Sequence, residues 1–253
     1  MFAAHRPTGE LASSVEVLWY FDGYTSAAHQ ERVIPTDRFQ VVIDLTFGPG
    51  VVVGLRSQYI ALDTAPIRSV MGIVFRPGRA RAFFDPPADA FFNQVVTLDL
   101  VWGAGINSLR DRVSEAPTVA ARFHVIEDAL RDRAHARRTC HPAVRYALDE
   151  FQRAPHIQRV LDVTRDAGLS RRRLSELFRE QVGLTPKLYC RVRRFQRVVR
   201  QIATGAQVDW AEVACAGGYA DQAHLSHEFR EFSGLSPAVF LSHDRFGNHV
   251  RLD

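Results

Sequence analysis

Leu174-Ser-Glu-Leu-Phe-Arg-Glu-Gln-Val-Gly-Leu-Thr-Pro186 and Leu225-Ser-His-Glu-Phe-Arg-Glu-Phe-Ser-Gly-Leu-Ser-Pro237 align without gaps, 51 residues apart (174 to 225), and agree at eight of thirteen positions. The shared positions make physical sense. Leu174 and Phe178, like Leu225 and Phe229, are four apart and so fall on one face of a helix. Gly183 and Gly234 stand where a helix ends in a left-handed turn, and Thr185-Pro186 and Ser236-Pro237 supply a hydroxyl cap followed by proline at the first helical position. The repeat therefore predicts two equivalent helices, beginning near Ser170 and Asp221.

Each is preceded by a shorter apolar segment ending in glycine, Val160 to Leu169 and Trp210 to Tyr219. Helix, tight turn and helix thus occur twice, the pattern that places a second helix in the major groove of DNA with its first residues at the base edges. Between the units, Leu188, Val192, Phe195, Val199 and Ile202 form one stripe, which predicts a single helix from Thr185 to about Ala203. Nineteen residues span about 28 Å, close to the roughly 34 Å between successive major grooves on one face of DNA, so one chain can reach two grooves.

Charge supports a polyanionic partner. Residues 1–139 hold 15 Arg against 15 Asp plus Glu, so the net charge of +4 lies in residues 140–253. Residues 171–200 alone carry ten cations and two anions, Glu176 and Glu180. With 31 Arg to a single Lys, Arg abundance itself says little, and the clustering is the signal.

Upstream, Phe39 to Phe47, Gly50 to Leu55 and Ile67 to Phe75 are short apolar runs separated by Gly48-Pro49-Gly50 and followed by Arg76-Pro77-Gly78. They read as strands of a small antiparallel barrel or sandwich. Arg76-Pro77-Gly78 reads as a turn, with an anion-binding loop as the alternative. Ile106, Leu109 and Val113, then Val119, Phe123, Ile126 and Leu130, follow helical spacing and predict two helices within about residues 101–135. The polar stretch from Arg131 to Thr139 reads as a linker, after which the chain reads as helical only. The expected fold is α+β: residues 1–139 as a barrel-like regulatory or dimerisation unit, residues 140–253 as an all-α unit of two helix-turn-helix motifs joined by a long helix. No apolar run of about 18 residues and no basic-then-apolar start is present, so a soluble, cytoplasmic protein is expected. Cys140, Cys190 and Cys215 are widely spaced and read as small packing residues.

Residues 142–243 resemble the DNA-binding domain of the AraC/XylS family of bacterial transcription regulators. The likeness is carried by Arg194-Phe-Gln-Arg-Val-Val-Arg200, Val213-Ala214, Gly218-Tyr219-Ala-Asp221-Gln222, Leu225-Ser226, Phe229 and Gly234-Leu-Ser-Pro237. Val33-Ile-Pro35, Gly72 to Gly78, Leu98 to Trp102 and Leu109 to Pro117 resemble, less specifically, the N-terminal domain of uncharacterised members. By position, the resemblance implies that Arg172, Ser175 and Glu176 face bases in the first unit, and Gln222, Ala223, Ser226 and His227 in the second. Glu176 and His227 stand where members often have Arg. Glu176 would accept from a cytosine amino group, or act as a local penalty beside phosphates. Thr164 replaces the alanine common at the close helix contact, where Ala214 keeps it. Arg171, Arg173, Arg191, Arg193, Arg194 and Arg197 are the candidates for phosphate contact. Double-stranded DNA is the expected partner. RNA polymerase and a small effector in the N-terminal half are further partners that the resemblance admits, with no cofactor implied.

The rival reading makes the barrel an enzyme or a metal-binding cupin fused to a DNA-binding module. Residues 1–139 contain no His-x-His, no Gly-x-Ser-x-Gly, no phosphate loop and no His-Glu-x-x-His, so neither catalysis nor a metal is expected. His224 and His227 lack a completing ligand. Trp19, Tyr20, Phe21 and Trp102 read as core, with a ligand cavity as the alternative. If a barrel of about a hundred residues leaves part of the two helical stripes at 101–135 uncovered, the remainder seeks a partner, and family members commonly dimerise there, so a homodimer is expected through that segment, with packing of both stripes on the barrel as the alternative.

Overall fold

A computed structural model describes residues 1–23, 30–46, 48, 50–63, 69–134, 139–153, 160–203 and 208–252. Strands β1 (Phe2–His5), β2 (Val15–Asp22), β3 (Gln30–Val33), β4 (Gln40–Asp44), β5 (Val51–Val53), β6 (Ile60–Asp63), β7 (Ser69–Phe75) and β8 (Val95–Thr97) come first. Six of them form one antiparallel sheet, ordered β1-β2-β7-β4-β5-β8. Strand β7 runs through its middle and is buried along nearly its whole length. Its Gly72 pairs with Trp19 of β2, whose indole fills the space where a side chain would stand.

Helices α1 (Asp99–Trp102), α2 (Gly105–Glu115) and α3 (Val119–Arg133) follow. Ile106, Leu109, Val113, Phe123, Ile126 and Leu130 share one buried cluster with Leu18, Val41, Ile43, Val52, Met71 and Ile73 of the sheet, and Val119 packs against it. The stripes expected to seek a second copy are thus covered by the chain's own sheet. Of the four aromatics read as core, Tyr20 is buried, while Trp19, Phe21 and Trp102 are half-buried. Phe39, Phe75, Phe84 and Phe91 meet ring to ring, and Trp102 stacks on Phe84 at 5.6 Å and donates its Nε1–H to Phe83 O at 3.1 Å. Helix α3 continues to Arg133, so the linker begins later than residue 131; its residues 135–138 lie outside those described.

Helices α4 (Pro142–Arg153), α5 (Val160–Asp166), α6 (Arg171–Val182), α7 (Pro186–Ile202), α8 (Trp210–Gly217), α9 (Gln222–Ser233) and α10 (Pro237–Leu241) build the second core. Phe178, Tyr189, Phe195, Phe229, Phe232 and Phe240 are fully buried there. Ile34 and Leu55 of the first half belong to the same cluster, so the two cores meet across a packed boundary.

The expectation of helices only after residue 142 fails at the tail. Strands β9 (Arg245–Phe246) and β10 (His249–Leu252) follow α10, and β10 pairs antiparallel with β3, Val250 opposite Arg32 and Arg251 opposite Glu31. A second sheet results, ordered β6-β3-β10-β9. The cause is long-range: Glu31 is fully buried, its carboxylate meets His249 Nδ1 at 2.8 Å and lies 3.6 Å from Arg251 Nε, and Val250 is buried beside them. The edge of β3 is satisfied by the tail.

Candidate nucleic-acid interface

Both reading helices begin at side-chain caps. The Arg173 amide donates to Ser170 Oγ at 3.2 Å ahead of α6, and the His224 amide donates to Asp221 Oδ1 at 2.7 Å ahead of α9. Such caps satisfy amides that the first helical turn leaves without partners. Gly183 and Gly234 end the two helices at φ 95° and 71°, the region that side-chain-bearing residues avoid. Leu174, Leu177, Phe178 and Val182 bury one face of α6, and Leu225, Phe229 and Phe232 the same face of α9. Thr164, in the helix preceding α6, fits the tight contact by donating its hydroxyl to Val160 O at 2.6 Å, while Ala214 occupies the equivalent place by size alone.

The opposite faces are open. Arg171, Arg172, Arg173 and Glu176 are exposed on α6 with Ser175 half-buried, and Gln222, Ala223 and His227 are exposed on α9 with Ser226 half-buried. On each helix, the residues singled out as base-facing lie within the first two turns. Arg172 donates its Nε–H to Glu176 Oε1 at 2.9 Å, and Arg173 Nη1 lies 3.7 Å from Glu176 Oε2. The hydrogen bond from Arg172 holds the Glu176 carboxyl below its ordinary value. Glu176 accepts from Arg172 through Nε alone, so the two terminal NH2 groups of Arg172 carry no bond to that carboxylate.

Three of the arginines expected at phosphates are engaged otherwise. Arg194 Nη2 donates to both oxygens of Glu228, at 2.8 and 2.7 Å, and its guanidinium lies 4.3 Å from the centre of the Tyr219 ring. Arg191 donates to Glu228 Oε2 at 2.8 Å and to Glu231 Oε2 at 2.6 Å. Arg193 pairs with Asp37 of the first half, which also pairs with its neighbour Arg38. Arg194 and Arg193 are 17% and 15% exposed; Arg194 ties α7 to α9, and Arg193 ties α7 to the segment between β3 and β4 of the first half. Burial opposes ionisation of Glu228, yet the hydrogen bonds from Arg191 and Arg194 keep its carboxyl below its ordinary value. Arg197 is exposed on α7. Glu228 and Asp37 were missed by sequence reasoning: Glu228 occupies a face otherwise apolar, and that misplacement was the available signal.

Burial pushes the Cys190 thiol up to about 12 and raises that of Cys140; Cys140 is buried and Cys190 half-buried, whereas Cys215, also expected as a packing residue, is exposed. Arg76-Pro77-Gly78 forms a turn whose Gly78 lies under Leu148. Among the described residues, no group of three or more His, Cys, Asp or Glu is placed to hold a metal, and no helix is long and apolar enough to cross a membrane.

Residues 163–243 match the family model described as a helix-turn-helix domain. The chain carries an AraC-type DNA-binding domain. It is a DNA-binding transcriptional regulator. Ahead of the AraC-type domain, residues 3–97 match a family described as a domain of unknown function (DUF6597). No curated protein matches the chain. Among solved structures, the C-terminal domain of AraT, a response regulator from Geobacillus stearothermophilus, is 20% identical, with 40% of this chain and 84% of that one covered and a TM-score of 0.37. ToxT from Vibrio cholerae is 10% identical over 95% of this chain and 97% of its own, TM-score 0.47. Its unsaturated fatty acid-bound form is also 10% identical, over 88% and 90%, TM-score 0.43.

Proposed function

We propose that a single chain reads two adjacent major grooves on one face of a DNA duplex, with α6 in one and α9 in the next. One observation carries this reading: two capped helices of the same construction, each with one open face over its first two turns, are joined within one chain by α7, whose 17 residues rise about 25 Å. In it, Arg172, Ser175 and Glu176, then Gln222, Ala223, Ser226 and His227, face bases, while Arg171, Arg173 and Arg197 meet phosphates. Residues 140–253 supply the DNA-binding unit and residues 1–139 the regulatory one, with β10 of the former completing a sheet of the latter.

A small effector would act through the first half, with RNA polymerase as a further partner of the chain. A homodimer through residues 101–135 would need a surface other than Ile106, Leu109, Val113, Phe123, Ile126 and Leu130, which lie in the chain's own core. Selection of bound duplexes from a random pool by the full chain tests the reading. Two conserved blocks about 10 base pairs apart are expected, with affinity falling by a log–log slope of about −0.9 per phosphate contacted as salt rises. A single block with a flat salt response would overturn it.

A further inference from the structure

The two C-terminal glycines of the reading helices, equivalent in the repeat, rest against the same body. A methyl group on Gly183 would lie 3.1 Å from Ala88 O, in the short turn Ala88–Phe91 of the first half. Around that contact, Arg179 Nη2 lies 3.8 Å from Asp89 and Arg81 Nη2 lies 3.6 Å from Glu180. At the other unit, a methyl group on Gly234 would lie 2.7 Å from both Arg32 Nη1 and Tyr59 Cζ. Arg32 donates to Ser233 O, the last residue of α9, at 3.3 Å, and its guanidinium sits 4.5 Å from the centre of the Tyr59 ring. Between the two, the middle of α7 is held by the Arg193–Asp37 pair and by Gln196 donating to Pro35 O. Strand β10 then anchors the end of the second unit to β3, the strand that carries Arg32.

We propose that the N-terminal half is a brace that sets the distance and rotation between the two reading helices, so that half-site spacing in the DNA is selected by the whole chain and not by α7 alone. The inference rests on the bipartite reading above. A helix fixes rise along its own axis, but α9 is reached through α8, so the rise of α7 alone does not set the rotation of α9 relative to α6. Contacts at both helix ends and at the spacer remove that freedom. One base pair added between half-sites moves the second groove by about 3.4 Å and roughly 35°, a displacement that a braced pair of helices cannot follow.

The test uses the full chain on duplexes whose half-sites are moved apart or together by one base pair. Wild type is expected to lose at least about tenfold in affinity at either altered spacing. Arg32→Ala combined with Tyr59→Ala, both half-buried positions on the first half, is expected to bring that loss below about threefold while the optimal duplex is still bound. Asp37→Asn, which frees the spacer helix, is a second variant with the same expected outcome should the first not fold. If wild type discriminates and both folded variants keep its full discrimination, the brace is overturned and the bipartite reading stands. If wild type itself is indifferent to spacing, both fall.

Discussion

Arg194→Ala separates a helix tie from a phosphate contact. In the native chain the Glu228 carboxylate, 4% exposed, receives hydrogen bonds from Arg194 Nε and Nη2 and from Arg191 Nε. Truncation leaves Arg191 alone and strips the cation from the Tyr219 ring. Removing one partner of a buried pair costs about 3–5 kcal/mol. Because Arg191 remains and water can enter where a partly exposed guanidinium lay, the loss here is about 2–3 kcal/mol. For a chain of this size that lowers the melting temperature by about 4–12 °C, read by circular dichroism at neutral pH. DNA binding by the folded variant, measured at several salt concentrations well below that temperature, is expected to keep the native salt slope. A variant that melts within about 1 °C of wild type while its slope falls by about one unit would make Arg194 a phosphate contact and refute the reasoning.

Arg172→Ala is expected to relax preference at one guanine by about 1–3 kcal/mol with little change in melting, and Glu176→Gln to relax the same position more weakly; loss spread evenly over all duplex variants would contradict the orientation of Arg172 by Glu176. Gly72→Ala forces a methyl group into the Trp19 indole and is expected to cost about 3 kcal/mol by denaturant unfolding, whereas a neutral outcome would contradict the packing of β2 on β7. Glu228 and Glu127 both have carboxyls lowered from the ordinary 4.5, so the stability they contribute is complete above that value and is lost as pH falls through the lower, folded-state values. Melting temperature measured from about pH 6 to about pH 3 is expected to fall less steeply for Glu228→Gln than for wild type, and identical slopes would show that Glu228 carries none of the dependence.

The reading helices were legible because their signals are local. The helices expected to begin near Ser170 and Asp221 are capped by those residues, and Gly183 and Gly234 end them where the repeat placed them. Strands β4, β5 and β7 lie within the apolar runs that marked them. The fate of the arginine cluster was not legible, since a charge run does not reveal its counterions: Glu228 lies 34 residues from Arg194, and Asp37 lies 156 from Arg193. Strand β10 was hidden for the same reason. Its four residues, His249 to Leu252, alternate as a strand does, but the edge that holds them is β3, and the buried Glu31 that fixes the register is 218 residues from His249. The helical stripes at 106–130 were found, yet their partner was misjudged, because periodicity shows that a face is buried without showing what covers it.

The central claim is that one chain engages two adjacent grooves. Hydroxyl-radical footprinting of the full chain on a selected duplex, with stoichiometry measured on the same complex, tests it most directly. Two protected windows about 10 base pairs apart on one face of the duplex, at one chain per DNA, are expected. One protected window, or two that form only when two chains are bound, would contradict it.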